Sequence, residues 1–507
     1  MTALTLIAST ASTAATAATA ASAVPVVPGV VPPRPGGGAY VLAHGIGAQH
    51  DLPVSPFYAF AGAFTALFVS FLALGLLWSR SRFRGAAAGA PLPAAVQRLA
   101  DAPATRTALR TLGLIGWLFV VLHLLLGPDD PARNPAPGAV YVLLWVGLVP
   151  ASLLLGPVWR LLNPLRTLHL LVSHLPYALS RLRSRPRPAP DSASVPVPVP
   201  ASAPVPAPAS ASASALVPVP VRVPVRRSLP VGVGQWPAAV GLFGFTWLEL
   251  VAPDPASATA LLTAVGVHTA VQLLGAARYG AGWFERADAF EAYSALLARL
   301  APLGRRADGR LVLRSPFNGL DATPQQPGLV ATVCVLLGST AYDGFSDTPS
   351  WINTLQTSSL GRTPTATLGL LAAVALVASA YCLCAAAVRL LSGPVPRPLT
   401  AFAHSLLPIA LGYLTAHYFS LLVTEGPRTV MVALGADNAL PPEPPLGPGG
   451  LAALQVAAVV TGHVLGVVAA HDRSVRLFPP ARAVAGQLPL LVLMIAYTIG
   501  GLGLLLT

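Results

Sequence analysis

Long apolar runs broken by short Pro-, Gly- or Arg-rich segments dominate the chain, and strict two-residue alternation of a half-buried strand is absent. A hydrocarbon core of about 30 Å takes about 20 apolar residues in a helix, and about ten segments meet or approach that length on a hydropathy criterion. They fall at 57–78, 109–127, 138–156, 236–252, 258–276, 328–343, 365–391, 399–423, 449–470 and 486–506. The fourth and sixth are short. The pattern predicts an all-α, polytopic transmembrane helix bundle that meets its main partner, the lipid bilayer, on every outer face.

Arginine placement orients the bundle, because loops kept in the cytoplasm carry the basic excess. Arg80, Arg82, Arg84, Arg98 and Arg106 follow the first run, and Arg160, Arg166, Arg181, Arg183, Arg185 and Arg187 follow the third. Arg278, Arg286, Arg299, Arg305, Arg306, Arg310 and Arg314 follow the fifth. The alternate loops hold Asp129, Asp130, Asp254, Asp343, Asp347, Glu425, Asp437 and Glu443. The expectation is a plasma-membrane protein with the arginine-rich loops inside and both termini extracellular.

Composition changes this picture little. Of the 507 residues 54% are hydrophobic and only 10% charged, against roughly 25% charged in soluble domains, which excludes a soluble globule. The net charge of +13 is spread over loops and does not form the basic face that nucleic acid requires. Cys334, Cys382 and Cys384 lie in apolar runs and read as small buried hydrophobes. Residues 1–56 combine a low-complexity or export segment with an outer ledge, and 57–183 hold three spans. Residues 184–228 are a Pro/Ala/Val-rich cytoplasmic linker expected to be disordered, and 229–507 hold seven spans.

Histidines inside apolar runs are the leading candidate chemistry, since intramembrane ionisable groups are functional by default. His123, His268, His404, His417 and His463 are of this kind, with His471-Asp472-Arg473 at a helix end. His404 and His417 are about 20 Å apart along one helix and cannot share an ion. His404 and His463 lie roughly 8 and 12 Å from the inner boundary on antiparallel neighbours, so they are expected to meet; His417 could approach His123 in the same way. Such imidazoles suit Zn, Cu or haem iron, or proton transfer, and they can equally be polar glue between helices. On the outer ledge His44, His50 and Asp51 form a Gly-rich segment suited to copper or zinc. Glu249 could pair with Arg362 or Arg428. Trp78, Trp145, Trp159, Trp236 and Trp351 fit an interfacial belt, and 282–300 reads as an amphipathic stretch lying on the cytoplasmic membrane face. The sequence has no nucleophile elbow, His-Glu-x-x-His helix, Walker A loop or dinucleotide fingerprint.

Six segments together resemble an actinobacterial family of multi-span membrane proteins often labelled fenitrothion hydrolase. They are His44 to Pro53, Gly156 to Leu168, Gly309 to Leu320, Gly338 to Trp351, Phe402 to Phe419 and Gly462 to Phe478. The resemblance implies organophosphate ester hydrolysis, a reaction commonly run by a metal-bound hydroxide. The residues alone leave open a permease with a histidine-lined path, and a scaffold or accessory subunit with a membrane-protein partner.

Overall fold

The computed structural model describes residues 56–183, 229–436 and 443–506. The ledge with His44, His50 and Asp51, and the segment 184–228, lie outside them. The described residues form an all-α bundle in which nine helices are long and apolar enough to cross a membrane. We label the main helices α1 (Pro56–Leu77), α2 (Pro103–Leu126), α3 (Pro135–Leu155), α4 (Pro164–Arg183), α5 (Trp236–Leu250) and α6 (Ala258–Tyr279). They continue as α7 (Ala289–Leu297), α8 (Leu329–Ser346), α9 (Arg362–Ser392), α10 (Leu407–Ala433), α11 (Pro448–Leu477) and α12 (Leu488–Leu506). Three short antiparallel strands, β1 (Ala90–Pro91), β2 (Leu303–Arg305) and β3 (Leu311–Leu313), pair in the order β1-β3-β2 at the arginine-rich end.

The helix starts follow from local chemistry. The side chains of Asn134, Ser257 and Asp288 accept from Ala136, Ala260 and Glu291 backbone N–H groups, capping α3, α6 and α7, and Pro opens α2, α5 and α11, where its missing N–H costs nothing. Within α3 the stretch Ala139–Val146 widens to a π turn, closed by a Gly147 N to Val142 O bond of 2.9 Å. Pro150 lies just beyond and cannot donate to the preceding turn. Such wide turns re-aim side chains and are frequent at functional sites; here the turn carries Tyr141 and Trp145.

At the centre α10 and α11 touch backbone to backbone. A Cβ on Gly462 would stand 2.5 Å from Pro408 O, one on Gly412 2.6 Å from Ala458 O, and one on Gly466 2.8 Å from Ser405 O. Only glycine admits this approach. Helices α1, α3, α8 and α12 pack around the pair, with α9 outside them against α8 and α12, while α2 and α9 present long runs of exposed apolar side chains, such as Leu112, Ile115, Leu376 and Leu390. One hydrophobic core takes Leu67 from α1 and Trp78 just after it, Trp145 from α3 and Tyr413 and Val464 from the central pair, so the segments before and after 184–228 share it.

Three expectations change. Segment 236–252 forms a helix of 15 residues, about 22 Å long, which falls short of a membrane's apolar thickness. The stretch 282–300 does not lie on a surface: α7 is buried along nearly its whole length. Its Tyr293 stacks on Trp145 at 4.5 Å, and Trp145 sits midway along α3, so α7 dips from the arginine-rich end to about the middle of the bundle. Trp145 and Trp78 accordingly belong to the core (1% and 3% exposed) and not to an interfacial belt. A stretch with Glu285, Arg286, Asp288 and Glu291 can enter the interior because each charge meets a partner or stays at the rim, as the next section shows.

Candidate functional site: a buried carboxylate and histidine cluster

Helices α5 and α8 start together, Gln235 N donating to Pro327 O at 2.7 Å, and run in parallel. About 20 Å further on, each presents a carboxylate: Glu249 from α5 and Asp343 from α8, 3% and 1% exposed. The two carboxylates lie within Coulombic reach of one another. Into the same space α10 sends consecutive residues, His417 and Tyr418. His417 Nε2 hydrogen-bonds Asp343 Oδ2, and Tyr418 OH donates to the same oxygen at 3.0 Å. Both rings are buried.

Aromatic groups wall the cluster. Trp145 lies edge-on to Tyr418 at 6.5 Å and stacks on Tyr293, while Phe245 fills the space between Trp145 and Phe290 at 5.0 and 5.1 Å. The π turn of α3 and the inward dip of α7 are what bring Trp145 and Tyr293 here. Glu249 Oε2 and Tyr293 OH are buried without a hydrogen-bond partner. Glu249 pairs with neither Arg362 nor Arg428; Arg428 contacts Glu425 at 3.2 Å. A buried carboxylate lacking a partner is costly unless a proton or a cation joins it, and here a second acid stands beside it.

A second polar cluster closes the arginine-rich end. Asn163 Nδ2 donates to Asp288 Oδ2 at 2.9 Å, Asp288 Oδ1 caps Glu291 N, and His268 Nε2 lies 3.7 Å from Asp288. Arg166 grips both oxygens of Glu291 at 2.7 and 3.0 Å, a bidentate pair of the strong kind. Burial pushes the Asp288 carboxyl up, but the neighbouring His268, the Glu291 N–H and the Asn163 amide outweigh it and hold the group below the usual carboxylate range. Arg160 bonds Glu285 at the rim. This cluster seats α7 at its base. A third set fastens α11: Asp472 accepts from Trp78 Nε1, Ser81 Oγ and Arg82 N, His471 from α11 meets Trp78 O at 2.9 Å, and Arg473 and Arg476 hold Asp321.

The four cofactor candidates are dispersed. His404 and His463 were expected to meet, but the glycine contacts fix the register of α10 on α11 so that His463 faces the Tyr413 level, its ring 5.7 Å from that of Tyr413, with Nδ1 on Val459 O at 2.9 Å. His404 lies instead against the backbone of Ala401 and Ala469. His123 bonds Phe119 O at 2.9 Å and lies tilted against that ring at 4.1 Å, while His417 pairs with Asp343 and not with His123. Among the described residues no group of three His, Cys, Asp or Glu side chains is placed to hold a metal ion; His44, His50 and Asp51 lie outside them.

Of this cluster, sequence reasoning singled out His417 and Glu249 and missed their surroundings. Asp343 read as a loop residue because the apolar run was ended at it, whereas α8 continues to Ser346; the continued helical period of Gly338 to Tyr342 was the available signal. Tyr293 and Trp145 carried no signal, since their meeting depends on the dip of α7. Compared with known proteins, the chain matches no family model, no curated protein and no solved structure.

Proposed function

We propose that the protein is a membrane permease that moves a proton together with its solute, and that Glu249, Asp343 and His417 are the proton-exchanging groups. The observation that carries the reading is a buried Asp343–His417 hydrogen bond with a second buried carboxylate, Glu249, within Coulombic reach, inside a bundle of span-length helices. Ionisable groups in that position mark ion or proton pathways. His417 and Asp343 share one hydrogen bond, so a proton can rest on either partner without either being left unpaired. Glu249, whose Oε2 has no hydrogen-bond partner among the described residues, takes up or releases the proton that balances solute entry. Tyr418 fixes the Asp343 oxygen, and Trp145, Tyr293 and Phe245 keep the cluster in apolar surroundings. In this reading the arginine-rich end faces the cytoplasm of a plasma-membrane protein.

The test is proton movement in liposomes holding the purified full chain and an internal pH-sensitive dye. Amines, carboxylates, sugars and phosphate esters are added singly at fixed membrane potential. The expected result is that at least one class changes the internal pH faster than in protein-free vesicles, and that Asp343→Asn and Glu249→Gln abolish the response. No response above protein-free vesicles from any class, with correctly folded protein, overturns the reading. The hydrolase activity that the resemblance implies is tested on the same vesicles by release of the leaving phenol from a phosphotriester.

A further inference from the structure

Where the chain leaves α7 and returns through β2 and β3, two arginines come together without an acid. Arg299 follows α7, and its Nη1 donates to Ala322 O at 3.1 Å. Arg314 follows β3 and runs through a slot between two glycines: a Cβ on Gly304 would lie 2.4 Å from its Cζ, and one on Gly319 3.0 Å from its Nη2. Any larger residue at Gly304 would expel the guanidinium. Both side chains are half-buried, and the two charges act directly on each other; burial, with the charge of Arg314, brings Arg299 down to about 10.

The acids of this end are already taken. Asp321 holds Arg473 and Arg476 at 3.0 and 2.9 Å, Asp101 holds Arg305 at 2.7 Å, and Asp308 holds Arg306. Neither Arg299 nor Arg314 has an ion pair among the described residues. Arg314 Nε is buried without a hydrogen-bond partner, and so is the hydroxyl of Thr323, the residue after the carbonyl that Arg299 grips. These two are like charges, partly desolvated, one held by the Ala322 carbonyl and the other in a glycine slot, an arrangement that is unfavourable until an anion joins it. Guanidinium forks match the oxygen geometry of phosphate and bind it bidentately.

We propose that Arg299 and Arg314, with the Thr323 hydroxyl, form a binding site for a phosphate group, carried either by a phospholipid headgroup or by free phosphate. The site is separate from the Glu249–Asp343–His417 cluster and does not depend on the permease reading.

The experiment uses the full chain, delipidated in detergent. Native mass spectrometry measures retention of added phosphatidylglycerol against phosphatidylcholine, and thermal unfolding is followed with inorganic phosphate added in place of lipid. Wild type is expected to retain phosphatidylglycerol selectively if the headgroup is the ligand, or to be stabilised by inorganic phosphate if the free anion is. In either arm Arg314→Gln weakens binding about tenfold or more, the loss of a charge-assisted bond. Arg314→Lys, which keeps the charge and loses the fork, weakens it by less, and Arg310→Gln, at an exposed position, leaves it unchanged. Wild type with neither headgroup preference nor phosphate stabilisation overturns the proposal whatever the variants do. Binding that is unaltered in both Arg314 variants overturns it as well.

Discussion

Cutting the His417–Asp343 contact puts the central cluster to its most direct test. Asp343 Oδ2 accepts from His417 Nε2 and from Tyr418 OH, and all three residues are buried. Hydrogen bonds between helices of a membrane bundle couple their partners by only about 0.6 kcal/mol on average, whereas a bond to an ionised group is worth about 1.5–3 kcal/mol. If the pair is ionic, a double-mutant cycle over Asp343→Ala and His417→Ala should return a coupling of about 2 kcal/mol, well clear of the average neutral bond. Each single variant should cost about 3 kcal/mol, because it takes the opposite charge away from a group that stays buried. Tyr418→Phe removes one neutral bond and should cost about 1 kcal/mol. Reversible unfolding in mixed detergent, followed by circular dichroism, measures all of these. A coupling below about 0.5 kcal/mol would show that the two side chains do not act as a pair, and the argument for proton exchange there would fail with it.

Other predictions follow from the same contacts. Because Glu249 Oε2 has no hydrogen-bond partner among the described residues, Glu249→Gln should leave unfolding stability unchanged or raised while abolishing the proton response, and a clear loss of stability would count against that reading of the site. Gly462→Val places a side chain 2.5 Å from Pro408 O and should destabilise by about 1–3 kcal/mol through overpacking, whereas Gly116→Val, where a Cβ meets nothing within 4 Å, should cost far less in the same unfolding assay. Asp288 titrates below the usual carboxylate range in the folded chain. Its stabilising contribution is therefore full above about pH 4 and is lost as the pH falls through that lower folded value; His268→Ala should move the acid-unfolding midpoint to higher pH, and an unmoved midpoint counts against the pairing.

The sequence by itself determined what a one-dimensional pattern can carry. Apolar length fixed where the long helices run, since a helix that meets lipid on one side and packed helices on the other needs no alternation, and Pro, Asn, Ser and Gly marked their ends through backbone chemistry that is local. Nine of the ten expected runs became helices of span length. The tenth, α5, stopped short, because counting apolar residues does not say where Val251 leaves the helix. The hydrophobic content of 282–300 was legible, but its location was not. An amphipathic stretch suits a membrane surface or a bundle interior equally well until its charges find partners, and Asn163, Arg166 and His268, remote in the chain, supply them. The same holds for the histidines. Depth along a helix was readable from sequence, but which histidine faces which neighbour is set by helix rotation and register, and on α10 and α11 these follow from Gly412, Gly462 and Gly466 letting the two backbones meet. That contact turns His463 toward Tyr413, while the parallel start of α5 and α8 carries Glu249 and Asp343 to one level beside His417. Side chains far apart in sequence become one site only through packing, so the tertiary structure alone decided which of the buried ionisable groups act together.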